Sequence, residues 1–163
     1  MNLIVNVSSD WEIGCNNSLI FHISEDMRFF KEHTINNIVV MGRKTFESLP
    51  NKKPLSDRIN VVLTKNMNIK RDGIVICRSL DALLKTLENY DSERVYVIGG
   101  ESIYNLLLPY CDTAYVTMVY RKAENADTFM VNLDNDAAWR CESASELKHE
   151  NGLSYRFLKY KRI

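Results

Sequence analysis

The sequence predicts an α/β fold: a mainly parallel, eight-stranded sheet flanked by about four helices and finished by an antiparallel C-terminal strand. Three observations predict it. Eight short stretches rich in Val, Ile, Tyr and Thr recur along the chain, the composition of a pleated, buried surface. Segments of helical period separate most of the early stretches. After Leu108 the helical period stops and only strand-like stretches remain.

In order, Leu3 to Val7 reads as the first strand, followed by a helix over Glu25 to His33 with Ser24 as its N-cap. The strand Ile38 to Met41 leads into a helix over Arg43 to Leu49, then come strands over Ile59 to Thr64 and Ile74 to Cys77. A helix over Leu80 to Leu87, a strand over Val95 to Ile98 and a helix over Glu101 to Leu108 complete the first part. Strands and helices are expected to alternate here, joined by right-handed crossovers, because Ile38-Val39-Val40-Met41 and Val95-Tyr96-Val97-Ile98 are apolar without strict alternation. The strands Ala114 to Tyr120, Trp139 to Ser143 and Tyr155 to Tyr160 follow, the last two forming an antiparallel hairpin at the sheet edge. Residues 51–57, 65–72 and 121–127 read as polar loops.

The chain of 163 residues fits one domain, 1–163, with a substantial core. Lys and Arg number 21 against 21 Asp and Glu, so no global field draws the protein to nucleic acid or to an anionic membrane; an anionic ligand must be caught by local charge. No apolar run approaches membrane-span length, and no basic segment or cleavage site accompanies Asn2 to Val7, so a cytoplasmic location is expected. Cys15, Cys77, Cys111 and Cys141 are too widely spaced for a metal knuckle or a disulfide framework, and His22, His33 and His149 have no partner at ligand spacing. Reduced thiols and no metal are the expectation. Without a heptad or a long apolar stripe, a monomer is expected.

Two junctions carry chemistry. At Met41-Gly42-Arg43-Lys44-Thr45 a strand ends in glycine and a helix begins beside two cations and a hydroxyl, a receptor suited to phosphate. At Ile98-Gly99-Gly100-Glu101-Ser102-Ile103-Tyr104 paired glycines let the backbone approach a ligand closely. Either junction alone is also what a tight strand-to-helix turn requires. Together they suggest a dinucleotide, although neither matches G-x-G-x-x-G. Arg43, Lys44, Lys65 and Arg78 all lie at or beyond strand ends, where they could meet a ribose 2′-phosphate, which favours NADPH over NADH.

Asp26 has two readings. Acids in a helix's first turn are favoured by the backbone dipole, and that alone accounts for it. Yet Asp26 also borders the apolar face of Ile23, Met27 and Phe30, and an enclosed carboxylate either protonates or pairs with a ligand's donors. The two parallel N–H groups of a 2-aminopyrimidine edge match its two oxygens. Arg58 reads as a solvated loop arginine or as a bidentate receptor for a carboxylate. Residues Ile13 to Ser18 read as a surface loop or as a lid. Tyr104 and Thr117 are ambiguous alone.

Taken in order, Ile13-Gly14 with Asn17, Asp26 with Phe29-Phe30-Lys31, Met41-Gly42-Arg43-Lys44-Thr45-Phe46-Glu47-Ser48, Pro54-Leu55 with Arg58, Val97-Ile98-Gly99-Gly100 with Ile103-Tyr104, and Asp127-Thr128 resemble the dihydrofolate reductase family over essentially the whole chain. The resemblance implies hydride transfer from NADPH to dihydrofolate, with antifolates as further ligands. It implies that Asp26 binds the pterin and promotes N5 protonation through solvent, supported by Thr117. Ile4, Val5, Met27, Phe30, Leu55, Ile98 and Tyr104 would line the folate pocket, and Arg58, with Lys52 or Lys53, would hold the glutamate carboxylate. Arg43, Lys44, Thr45, Thr64, Lys65 and Arg78 would take the adenosine phosphates. Gly99, Gly100, Glu101, Ser102, Ile103 and Tyr104 would take the pyrophosphate and nicotinamide side, with a cis Gly99–Gly100 peptide. Asn6, Ile13, Gly14, Asn17, Ser18, Leu19, Gly42, Leu63 and Thr128 would complete the cofactor site, residues Glu12 to Ser18 forming part of a mobile loop over the nicotinamide.

Three departures stand out. Ile20-Phe21 replaces the usual Pro-Trp, so the ring remains but its indole N–H is lost. Met130-Val131 replaces a Phe-Pro pair. Asn6 stands where a small apolar residue is usual, and if buried it must find a partner. Two competing readings are a pterin or pyrimidine reductase of the same fold, disfavoured by Asp26 and Arg58 together, and a nucleotide-binding module that binds without turnover. Phosphoryl transfer is disfavoured by the lack of a G-x-x-x-x-G-K-[ST] loop.

Overall fold

A computed structural model describes residues 1–69 and 72–163; Lys70 and Arg71, within the polar stretch expected at 65–72, lie outside the described residues. The elements are β1 (Asn2–Val7), β2 (Glu12–Cys15), β3 (Ser18–Leu19), α1 (Ser24–Thr34), β4 (Ile38–Gly42), α2 (Arg43–Ser48), β5 (Ile59–Leu63), β6 (Ile74–Cys77), α3 (Leu80–Leu87), β7 (Val95–Gly99), α4 (Glu101–Leu107), β8 (Thr113–Val119), β9 (Thr128–Phe129), β10 (Trp139–Ala144), β11 (Lys148–Glu150) and β12 (Leu153–Arg162). Every strand and helix expected from the sequence is present within a few residues of its expected ends. No helix among the described residues is long and apolar enough to cross a membrane.

Eight strands lie in the order β10-β12-β8-β1-β7-β4-β5-β6, with β11 pairing off β12. From β8 to β6 every pairing is parallel, and β12 runs antiparallel to both β8 and β10. The reason shows in β4. Ile38 and Val40 face one core with Leu83 and Leu87 of α3 and Leu107 of α4, while Val39 and Met41 face a second with Phe46 of α2. A strand covered on both faces needs apolar residues at consecutive positions, which is why alternation is missing.

The structure departs from expectation at a few places. Strands β5 and β6 pair directly, and no helix separates them among the described residues. Strand β12 is covered on both faces: Tyr155 and Phe157 pack towards Ile23, whereas Leu158 and Tyr160 join the main core. Ser24 does not cap α1, because Ile23 holds the cap position without a side-chain bond. Instead the Ser24 amide donates to Glu150 Oε2 at 2.6 Å and its hydroxyl to Glu150 Oε1 at 2.8 Å. A carboxylate from β11 thus performs the capping that the local sequence suggested for serine.

The segment expected as a loop, residues 13–18, is a hairpin in a second sheet of order β3-β2-β9. Asn16 and Asn17 turn it, both with positive φ (49° and 63°), a conformation that asparagine tolerates in tight two-residue hairpins. Gly14 is required here: a Cβ would lie 2.7 Å from Thr128 Oγ1 and 3.2 Å from the Ser18 carbonyl.

Two outcomes follow from this packing. Phe46→Ala empties a site that is 1% exposed and should cost about 3–5 kcal/mol, read as a lowered denaturant midpoint. Gly14→Ala should push β9 from β2, so amide exchange of Asp127, which donates to the Gly14 carbonyl at 3.0 Å, should accelerate while that of Val40 in the main sheet stays slow.

Candidate active site

Asp26 occupies the first turn of α1 and is 8% exposed. Strand register explains its surroundings. Asn6 of β1 and Thr117 of β8 are paired across neighbouring parallel strands, so their side chains share the face that α1 covers. Thr117 Oγ1 donates to Asp26 Oδ1 at 2.5 Å and Asn6 Nδ2 donates to Oδ2 at 2.8 Å. Burial pushes the Asp26 carboxyl above its ordinary range, and the two donors pull it part of the way back. Next in sequence, Met27 stays 52% exposed despite its apolar side chain, and Phe30, one turn on, is half-buried.

A cavity of about 740 Å³ opens beside this carboxylate's neighbours. Its walls come from both glycine junctions: Gly42, Arg43, Lys44 and Thr45 at the start of α2, and Gly99 to Tyr104 at the start of α4. Neither helix start carries a side-chain cap, so its first amides remain available. Among the described residues Arg43 pairs with Glu47 at 2.8 Å, whereas Lys44 makes no ion pair. Val5, Asn6, Leu63 and Ile98 add the sheet side, and Ile13, Gly14, Asn17, Ser18, Leu19 and Thr128 add the second sheet.

The Gly99–Gly100 peptide is cis. Gly99 has φ 122°, and a Cβ there would lie 3.3 Å from the Tyr104 ring. Tyr104 is fully enclosed and donates its hydroxyl to the Ile4 carbonyl at 2.8 Å, tying α4 to β1. Burial pushes its phenol far above the ordinary value, so it stays a neutral donor.

Other residues singled out in the sequence lie outside this cavity's wall. Leu55 packs with Ile98 against Val39, Met41 and Phe46. Arg58 donates to Thr34 Oγ1 at 3.0 Å and to the Ser56 carbonyl at 2.9 Å, and makes no ion pair among the described residues. Its turn is held by Asn60, 1% exposed, which donates to the Leu55 and Arg58 carbonyls and accepts from the Leu55 amide. Lys52 and Lys53 are exposed beyond α2. Thr64 is buried just past β5, Lys65 is exposed, and Arg78 donates to the Asn66 carbonyl across the same corner.

Three features were given no role from the sequence. Ser48 lines the cavity, one helical turn after Thr45. Asp127 also lines it: its Oδ2 accepts the Asn16 amide at 2.9 Å, bracing the hairpin turn. Glu150 anchors α1 from more than a hundred residues away. Spacing from Thr45 could have found Ser48; nothing local marks Glu150.

Comparison with known proteins matches this arrangement. The dihydrofolate reductase family profile covers residues 1–162. A dihydrofolate reductase of Staphylococcus haemolyticus is 35% identical over 167 residues, spanning 100% of this chain and 96% of its own. A bifunctional dihydrofolate reductase-thymidylate synthase of Glycine max is 35% identical over 178 residues, and there the match covers 99% of this chain but 33% of that protein. Among solved structures, dihydrofolate reductase from Enterococcus faecalis, complexed with NADP(H) and RAB-propyl, superposes with a TM-score of 0.87 at 30% identity over 99% of this chain and 95% of that one. With the buried acid, the paired glycine junctions and the family profile spanning the same residues, the chain belongs to the dihydrofolate reductase family.

Proposed function

We propose that this protein reduces 7,8-dihydrofolate to tetrahydrofolate with NADPH, feeding one-carbon metabolism and thymidylate synthesis. The observation that carries the reading is Asp26: a carboxylate held by two donors on the covered face, adjoining a cavity into which both glycine junctions open. Its two oxygens suit the paired N–H groups of a pterin edge. The residues present fit the dinucleotide. Uncapped amides of α2 and α4, with Arg43, Lys44 and Thr45, would hold its phosphates, and Thr64, Lys65 and Arg78 would take the adenosine end. When bound, NADPH supplies the hydride delivered to pterin C6.

The protein's own part is mostly geometric. Ile4, Val5, Met27, Phe30, Leu55 and Ile98 would enclose the flat ring. Arg58, a cation without an acid partner among the described residues, would hold the substrate's carboxylate, with Lys52 nearby. Asp26 anchors the ring and promotes protonation at N5 through solvent. The hairpin β2–β3 covers the nicotinamide side and excludes water. Antifolates with the same aminopyrimidine edge would compete at Asp26. We take the protein to act as a one-domain monomer in the cytoplasm.

Loss of NADPH absorbance with dihydrofolate, beside an NADH control, tests the reading. Asp26→Asn should lower turnover by about 10²-fold or more while the protein stays folded. Tight binding of both ligands with no oxidation by the wild type would sink the assignment. The same substitution should raise stability at neutral pH, and the sign follows from burial. The folded carboxyl titrates above its ordinary value of 3.8, so its favourable contribution is complete below that value and is lost as pH rises through the folded one. Thermal unfolding of wild type and Asp26→Asn should therefore converge in acid and diverge towards neutrality.

A further inference from the structure

The Asn6 side chain reaches Asp26 from the wall of the cavity. Asn6 lines the cavity; Asp26 and Thr117 do not. Its Nδ2 takes one carboxylate oxygen at 2.8 Å while Thr117 takes the other at 2.5 Å. The amide orientation is dictated by the acceptor: a carboxylate faces the NH₂ group, so Oδ1 turns away from Asp26. We infer that Asn6 is a positioning residue for Asp26, holding the carboxylate from the cavity side and setting the protonation state in which the site meets its ligand.

The physical argument is a competition. Enclosure disfavours the charged carboxylate, and a buried acid with one donor would be inclined to take up a proton from solvent. A second donor strengthens the charged form, because a hydrogen bond to an ionised group is roughly twice as strong as one between neutral groups. An apolar residue at position 6 would contribute only the enclosure. The other titratable groups around Asp26 do not replace Asn6. Tyr104 of α4 spends its hydroxyl on the Ile4 carbonyl, and Tyr155 of β12 donates to Glu25, which Lys148 also holds. No cation pairs with Asp26 among the described residues. The charged form of Asp26 therefore draws its support from two neutral donors, and a ligand that carries its own proton meets an acceptor they help to prepare. The consequence for turnover rests on the folate reading above; the ionisation of Asp26 does not.

The test titrates Asp26 directly in the ligand-free protein, by NMR of carboxyl-¹³C aspartate, with Asp26→Asn identifying the resonance. Asn6→Leu keeps the bulk and removes the donor, so the Asp26 midpoint should move to higher pH than in the wild type. Should Asn6→Leu fail to fold, Asn6→Ala is read in its place and should move the midpoint the same way. In single-turnover hydride transfer, the pH midpoint of the folded variant should move in the same direction. A midpoint unchanged or lowered in the folded variant overturns the inference. A wild type that titrates as expected but never oxidises NADPH overturns the folate reading and leaves the role of Asn6 standing.

Discussion

Enclosing one carboxylate is the constraint around which this architecture is arranged. Asp26 sits on α1, but its donors come from β1 and β8, and they are neighbours only because those strands pair in parallel with Asn6 opposite Thr117. A buried acid without such donors would be driven to protonate. The sheet register, the placement of α1 across it and the state of the acid are therefore one problem with one solution. The anchoring of Ser24 by Glu150 belongs to the same solution, since it fixes the start of the helix that carries Asp26.

The second half of the site depends on glycine. Both helices that open on the cavity begin after a strand that ends in glycine, and both leave their first amides uncapped. At Gly42 a Cβ would lie 3.0 Å from Ile103, so the two helix starts pack against each other through a position with no side chain. At Gly99 the close Tyr104 ring and the positive φ exclude other residues. Tyr104 then links this half to the first by its bond to the Ile4 carbonyl, one strand position from Val5, which lines the cavity, and two from Asn6.

The positions that the resemblance set apart in the sequence are packed in different ways. Met130 is buried at 4% exposure, and its amide donates to the Trp11 carbonyl at 2.8 Å, so the segment after β9 is tied down by backbone. Phe21 packs beside Ile23, Val119 and Tyr155, serving as an apolar filler. Asn6 alone of these acquires a side-chain polar partner, Asp26.

Composition and pattern alone determined the fold class, all eight strands of the main sheet and the four helices, because two-sided burial writes itself as uninterrupted Val and Ile, and helix starts after strands announce themselves with glycine. The order of motifs also led to one expected site joining Asp26 and the two junctions. Tertiary structure decided what pairing distance controls. The strands β3, β9 and β11 are only two or three residues long and carry no pattern, and β9 finds its partner β2 more than a hundred residues back. Ser24 looks like a cap locally, yet a carboxylate on β11 takes that role. The partnership of Asn6 with Asp26 spans twenty residues and follows from strand register, which no local propensity encodes.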